Sequence, residues 1–360
     1  LRSPPSIMSL LPWQIAVDVG GTFTDAVAVD PQGRRHRAKI PSHAHLRLIP
    51  EARGPDRTLR CRGAGDVRLP LHCLVGSPVT DERGMRVGEI ARNGQGDGDS
   101  VRVTLDDPEV MPRGDLDLRP GLPAPAVLAY LLTTTALGDA LPPLELRLAT
   151  TRATNALLER HLPPTALFIT RGFRDLPRIG DQRRPDLFAL DIRRAAPLAA
   201  VVVEVPERCD ARGRVLEPVD RAVVAAAAED LIARGIENAA VVLLHADLNG
   251  DHETAVEEVL RQAGMRIVGC SGRVAPFVGV LRRMETTLVN TALEPVVRSY
   301  IDAISAAVEA PLHLLTSAGG LQDAASYQPK DSLLSGPAGG VAGAAAAARA
   351  AGIEALSSFD

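Results

Sequence analysis

A chain of 360 residues, 46% of them hydrophobic and 23% charged, has room for two buried cores and is not a disordered segment. A formal charge of −4 and an aromatic content of 3% exclude the basic field and the stacking rings of a nucleic-acid binder, and no run is long and apolar enough for a membrane span. Lysine occurs only at Lys39 and Lys330, with no G-x-x-x-x-G-K-[ST] segment, so a P-loop lysine is excluded as well.

Residues 1–12 read as a tail, too short and too proline-broken in its apolar part for a signal peptide, which leaves a cytoplasmic location as the expectation. "WQIAVD" (13–18) reads as a buried strand, "AVAVD" (26–30) as its neighbour and "PQGR" as the next turn, a β-meander led by the loop "VGGTFTD". From about 43 to 119 the texture changes to short alternating runs separated by Gly, Pro and Asp clusters such as "NGQGDGD" (93–99), which predicts a β-rich insertion. "AVLAYLLTTTALG" has helical spacing and is expected to stop at Gly138.

Strands and helices then alternate: "LELRLATT", "ATNALLERH", "TALFITRG", an irregular piece through residue 194, "AAVVVEVPER", a helix capped by Asp220 and ended by Gly235, and the continuous apolar run "AAVVLLHA" of a parallel strand. Residues 278–309 predict a long helix kinked or broken at Pro295. "LHLLTSAGG" reads as a strand with a glycine turn, "SGPAGGVAGAAAAARAAG" as a glycine-rich helix start and "ALSSFD" as a further strand. The class is α/β.

Four cysteines, Cys61, Cys73, Cys209 and Cys270, form no C-x-x-C pair and read as reduced, buried thiols. His43 and His45 would need a third ligand to hold a metal and read as surface residues, and His245 reads as a strand-end histidine. No nucleophile elbow or triad signature occurs.

In "AVDVGGTFTDAV" (16–27) Gly20 and Gly21 make either a tight hairpin or an anion-binding turn. Asp18 before them and the hydroxyls of Thr22 and Thr24 after them favour the second, because a plain hairpin needs neither acid nor hydroxyls, and a strand-end carboxylate is placed to hold hydrated Mg²⁺ against phosphate. In "TTRATN", Thr150, Thr151, Thr154 and Asn155 crowd a strand-to-helix junction with more polar groups than one cap needs. Arg171, Arg174, Asp181, Gln182, Arg183, Arg184 and Asp186 crowd a glycine- and proline-punctuated loop that is either a site wall or solvated surface. "SGPAGG", with Ser335 and Gly336, reads either as a helix N-terminus aimed at an anion or as a tightly packed helix start.

"DVGGTFTD" resembles the first phosphate loop of the actin, Hsp70 and sugar-kinase ATPase superfamily in the form used by the hydantoinase A/5-oxoprolinase family. "ATTRATNALLER" (149–160, with Ala149 in place of the usual glycine), "TRGFRDLPRIGDQRRPDLFALDIR" (170–193), "VPERCDARGRVLEP" (205–218), "TSAGGL" (316–321) and "LLSGPAGGVAGA" (333–344) are similar to further segments of that family, in family order.

The resemblance implies actin-like, ribonuclease H-like lobes, with an N-terminal domain over 13–247 that carries the insertion, and the start of an ATPase domain over 265–360. It implies ATP-dependent hydrolysis of a cyclic amide such as 5-oxoproline or a hydantoin. The alternatives are the ATP-binding subunit of an acetone or acetophenone carboxylase and a non-catalytic nucleotide-binding fragment. Gly20, Gly21, Thr22 and Thr24 would hold phosphate, together with Thr150, Thr151, Thr154, Asn155, Gly319, Gly320, Ser335 and Gly336. Asp18 and Asp360 would hold Mg²⁺ through water, and Asp25 would brace the loop or the attacking group. Asp360 resembles the first residue of the family's second phosphate loop, so the chain is expected to be a piece, with Met8 a candidate start, that turns over little ATP alone. A hydantoinase B-type subunit or fused domain and an oligomeric assembly are the partners implied.

Overall fold

A computed structural model of the chain describes residues 11–54, 57–64, 70–91, 100–107, 112, 114–183, 187–188, 190–191 and 196–357. The chain divides into two compact units, one of residues 1–155, 299–327 and 331–360, the other of residues 156–298 and 328–330.

The first unit opens with the meander: Trp13–Val19 (β1), Phe23–Val29 (β2) and Arg35–Pro41 (β3). Alternate residues Ile15, Val17 and Val19 on β1, and Thr24, Ala26 and Ala28 on β2, are buried, the period of two expected of strands with one covered face. The helix Ala124–Thr133 (α1) packs on β1–β3 and is buried from Ala124 to Leu132. It ends at Thr134, in the left-handed region at φ 54°, four residues before the stop expected at Gly138. The Thr133 hydroxyl bonds back to the Ala129 carbonyl at 2.8 Å and the Thr135 N–H to Tyr130 O, so the β-branched run turns out of the helix before the glycine is reached.

Between the meander and α1, six strands close into a barrel: Leu46–Arg53 (β4), Thr58–Gly63 (β5), Pro78–Thr80 (β6), Arg86–Ile90 (β7), Ser100–Leu105 (β8) and Leu116–Leu118 (β9), in the order β4-β5-β8-β7-β6-β9. Leu48, Leu59, Cys61, Val79, Val101, Val103, Leu116 and Leu118 are fully buried, and closure removes the free edges that short strands would otherwise present. The cluster at 93–99 lies outside the described residues. His43 and His45 sit in and after a turn, their rings edge to face at 4.9 Å, rather than along a strand.

Leu144–Thr150 (β10) pairs in parallel with β1, Asp18 opposite Ala149 and Val19 opposite Thr150. The helix Arg152–Leu158 (α2) follows it.

The second unit holds a parallel sheet of Thr165–Thr170 (β11), Val201–Val205 (β12), Asn238–Val242 (β15) and Ile267–Cys270 (β16), in the order β12-β11-β15-β16. A short helix Leu176–Ile179 (α3) and the small ribbon of Arg208–Cys209 (β13) and Val215–Glu217 (β14) lie between its strands in sequence. Ala166, Phe168, Ala239 and Val241 face the helices Arg221–Ala233 (α4) and Asp251–Ala263 (α5). Leu167, Ile169, Ala240 and Val242 face Met284 and Leu288 on the other side, so both faces are covered and the strands are apolar without alternation. Asp220 caps α4 by accepting from the N–H groups of Ala222 and Val223, and Gly235, at φ 77°, follows its end, as the sequence predicts.

The four-residue helix Ser271–Val274 (α6) leads to Val280–Val308 (α7), one helix through Pro295 rather than a broken pair. A proline removes a single N–H donor, and the long apolar face outweighs that loss.

In the first unit, Leu312–Leu315 (β17) pairs in parallel with β10, and Leu321–Asp323 (β18) pairs with it antiparallel, giving the sheet order β18-β17-β10-β1-β2-β3. The helix Ser335–Ala350 (α8) packs on β10. Residues 355–357 form no strand; 358–360 lie outside the described residues. All four cysteines are unpaired and buried, and burial pushes the Cys61 thiol up to about 12 and the Cys73 thiol to about 11.

Candidate functional site

β1, β10 and β17 run in parallel, so their C-terminal ends lie on one edge of the first unit's sheet, the place where α/β sheets offer ligands loops and helix starts. The loop between β1 and β2 is tight. Gly20 N–H donates to Phe23 O at 3.0 Å, and a Cβ at Gly20 would lie 3.0 Å from that same oxygen. Neither Gly20 nor Gly21 has a positive φ, so the pair is not a left-handed hairpin turn; Gly20 serves close approach, whereas Gly21 has ordinary room beside it. The N–H groups of Gly21 and Thr22 have no partner among the described residues, and Gly21, Thr22 and Asp18 are exposed.

Ser42, which sequence reasoning missed, holds the loop from behind. Its hydroxyl donates to Gly20 O at 2.7 Å and lies 3.0 Å from Thr24 Oγ1, and its N–H donates to Thr22 O at 2.9 Å. Thr24 is fully buried there, so it braces the loop and does not face the open side with Thr22. The buried phase of Ala26 and Ala28 carried that signal, since Thr24 shares it.

Asp18 and Asp25 are register partners across β1 and β2. Partial desolvation, and then the charge of Asp25, raise the Asp18 carboxyl above the ordinary range. Asp25 is bonded to Lys39 Nζ at 2.9 Å, whereas no cation is bonded to Asp18 among the described residues.

The second segment is tied to the first. Thr151 N–H donates to Val19 O at 3.1 Å, and Asn155 Nδ2 lies 3.5 Å from where a Gly21 Cβ would stand and 3.5 Å from Thr151 Oγ1. Thr150 is buried; its hydroxyl accepts from Arg152 N–H at 3.1 Å. Thr154 donates to Leu333 O at 2.8 Å and Ser335, also buried, to Thr150 O at 3.4 Å, which brings the start of α8 to the same edge. Gly319 and Gly320 form the β17–β18 turn, where Thr316 N–H and hydroxyl both reach Gly320 O. Ser317 links that turn to α8, accepting from Leu334 N–H at 3.0 Å. Gly336 lies in the first turn of α8.

Two groups separate among the side chains and loop residues of the first unit. Asp18, Gly21, Thr22, Asp25 and Asn155 lie at or near the open side of the edge, while Thr24, Thr150, Thr154 and Ser335 spend their hydroxyls on internal bonds. Asp360 lies outside the described residues. In the second unit, Arg171 pairs with Glu217 at 2.8 Å and Arg183 with Asp181, both exposed; Arg184 and Asp186 lie outside the described residues.

Residues 14–56 and 135–264 match the hydantoinase/oxoprolinase N-terminal region, and residues 283–360 match hydantoinase/oxoprolinase. The chain belongs to the hydantoinase/oxoprolinase family. It is 34% identical over 229 residues to a 5-oxoprolinase of Saccharomyces cerevisiae, an alignment covering 55% of this chain and 18% of that protein. Its fold is similar to that of an ATP-dependent caprolactamase from Pseudomonas jessenii (TM-score 0.59, 21% identity, 95% of this chain and 41% of that one). Nucleotide-free acetone carboxylase is similar too (TM-score 0.58, 21% identity, 94% and 41%). The chain therefore spans about a fifth of the length of the first of these and under half of the two solved chains.

The family match includes all four segments at the sheet edge, and it leaves out residues 57–134, which hold most of the barrel and α1. The hydantoinase/oxoprolinase signal therefore covers the edge and the strands β11, β12 and β15 of the second unit's sheet, but not β16.

Proposed function

We propose that the sheet edge of this hydantoinase/oxoprolinase chain binds the phosphates of ATP, and that the whole protein uses ATP to open a cyclic amide such as 5-oxoproline or a hydantoin. The observation that carries the reading is the N–H pair of Gly21 and Thr22, without partners among the described residues, beside an Asp18 carboxylate to which none of those residues bonds a cation. That donor set fits a Mg²⁺-bound polyphosphate: backbone N–H groups and the Thr22 hydroxyl suit phosphate oxygens, and a carboxylate crowded by a second acid suits a hydrated divalent cation. The identity to a 5-oxoprolinase favours a lactam over a ketone as the second substrate.

Bound ATP with Mg²⁺ would supply a transferable phosphoryl group that turns the lactam carbonyl oxygen into a leaving group. The work left to this chain is positioning and charge balance, which is most of what phosphoryl transfer demands of a protein. Gly20 and Gly21 keep side chains out of the turn; Thr22 offers its N–H and hydroxyl. Asp18 would hold the cation through water. Asp25, steadied by Lys39, keeps negative charge beside Asp18, and Asn155 closes the loop from the α2 side. Thr24, Ser42, Thr150, Thr154 and Ser335 hold the loops in place; Gly319, Gly320 and Gly336 leave open space beside their backbone, where phosphate could approach.

The strand order β3-β2-β1-β10-β17, three antiparallel strands followed by two parallel ones, supports an actin-like, ribonuclease H-like lobe for the first unit. On this reading the domains run 13–247 and 265–360 with an insertion at about 43–119. The protein works in the cytoplasm, in an oligomer with a hydantoinase B-type subunit or fused domain.

The test is ADP release by the whole protein with Mg-ATP and 5-oxoproline or hydantoin. Release that depends on the lactam is expected. Release that depends on acetone or acetophenone plus bicarbonate would make it a carboxylase subunit, and Mg-ATP binding without any turnover would make it a non-catalytic lobe.

A further inference from the structure

We propose that the second unit holds a binding site for one divalent cation of the zinc class, formed by Glu207, Cys209 and His252. This inference is independent of the nucleotide edge. Glu207 and Cys209 flank Arg208 at the start of the β13–β14 ribbon, just past the C-terminal end of β12, and His252 lies in the first turn of α5. The fold brings these three together across more than 40 residues of sequence. All are buried, at 1%, 3% and 8% exposure. His252 Nδ1 stands 2.7 Å from Glu207 Oε2 and 3.6 Å from Cys209 Sγ, and one donor atom from each lies within 4.8 Å of the other two.

Charge and donor chemistry agree with a cation there. A buried carboxylate needs a compensating charge, yet no arginine or lysine is bonded to Glu207 among the described residues. Its partners are the Thr170 hydroxyl and His252. Arg208, next to it in sequence, points elsewhere, to Arg171 O and the Phe173 ring.

Thiolate, imidazole and carboxylate together form the mixed S, N, O set that zinc-like ions take. Around them, Thr170 donates to Glu207 Oε1 while accepting from Leu244 N–H at 3.0 Å, an outer bond of the kind that orients metal ligands. The sulfur-to-nitrogen spacing already suits a tetrahedral ion; Glu207 and His252 need to part by roughly half an ångström from their hydrogen-bonded distance. On binding, the Cys209 thiol proton leaves to solvent, His252 Nδ1 gives up its proton with the ring keeping one N–H at Nε2, and the sulfur and Nδ1 lone pairs turn to the metal.

The full chain, stripped of metal by a chelator and dialysed, is titrated with Co²⁺. One equivalent should produce a thiolate-to-cobalt charge-transfer band in the near ultraviolet, Zn²⁺ should remove it one for one, and Cys209→Ser should lack it. No such band in the wild-type chain, or a band that survives in Cys209→Ser, overturns the site and leaves a proton as the occupant of the Glu207–His252 pair. Should Cys209→Ser fail to fold, the X-ray absorption spectrum of the wild-type zinc form decides. One sulfur at about 2.3 Å among lighter ligands is expected, and none, or more than one, overturns the proposal.

Discussion

The carboxyl group of Asp18 faces that of Asp25 across β1 and β2, and the second raises the pKa of the first after partial desolvation has already done so. Two like charges on neighbouring strands cost stability. Asp18→Asn removes one of them, so the midpoint of thermal unfolding should hold or rise slightly. Turnover of Mg-ATP by the whole protein should fall by about 100-fold, the scale of losing one fixed electrostatic partner of the reacting phosphate. Unchanged turnover would return the loop to the status of a hairpin.

The two loop glycines should separate folding from binding. A Cβ at Gly20 meets the Phe23 carbonyl oxygen at 3.0 Å, and backbone gives way poorly, so Gly20→Ala should destabilise the chain by about 1–2 kcal/mol. A Cβ at Gly21 meets Asn155 Nδ2 at 3.5 Å, an ordinary contact, and should leave stability alone. If the edge holds phosphate, Gly21→Ala should nevertheless weaken Mg-ATP binding by about tenfold, or 1.4 kcal/mol. Calorimetric titration of both variants checks this, and equal affinities for Gly21→Ala and wild type would count against the site.

Thr154 ties α2 to the residues before α8 through its bond to Leu333 O at 2.8 Å. Thr154→Val keeps the shape and leaves that carbonyl without its donor, which should cost about 1 kcal/mol in urea unfolding. Thr154→Ser should restore most of it. A loss confined to nucleotide affinity, with no change in the urea midpoint, would show that the hydroxyl faces ligand and not Leu333.

Much of this arrangement was legible in the sequence because its causes are local. The alternation of β1 and β2, the Asp220 cap and the unbroken apolar run of β15 each follow from neighbours a few residues away. Thr24 reads in the sequence as a phosphate-holding hydroxyl, and the structure buries it in the same alternating phase as Ala26 and Ala28. What the sequence could not carry depends on distant pairing. Barrel closure joins β4 to β9 across more than 60 residues, Ser42 reaches back to Gly20, and Glu207 meets His252 only because the parallel sheet sets the β13–β14 ribbon beside α5. The end of α1 departs from the expected glycine stop because a threonine run turns the chain out of the helix first.

Acid should probe the first unit's meander at Asp30. Its side chain is fully buried, and burial alone would raise its pKa. Hydrogen bonds from His36 at 3.0 Å, the Arg34 N–H at 2.8 Å, Arg34 Nε at 2.6 Å and the Gln32 N–H at 3.0 Å outweigh this and hold the carboxyl well below the ordinary range. A folded-state pKa below the unfolded value means that the ionised form is favoured in the native chain. The contribution is therefore complete above about pH 4, where the unfolded carboxyl is also ionised, and is lost as pH falls toward the folded value. Asp30→Asn should lower the unfolding temperature near neutrality, and the gap to wild type should close as the buffer is taken below about pH 4. A gap that stays constant down to the acid limit would mean that the amide variant loses shape or hydrogen-bond acceptors and not charge, and that the four hydrogen bonds do not depend on ionisation.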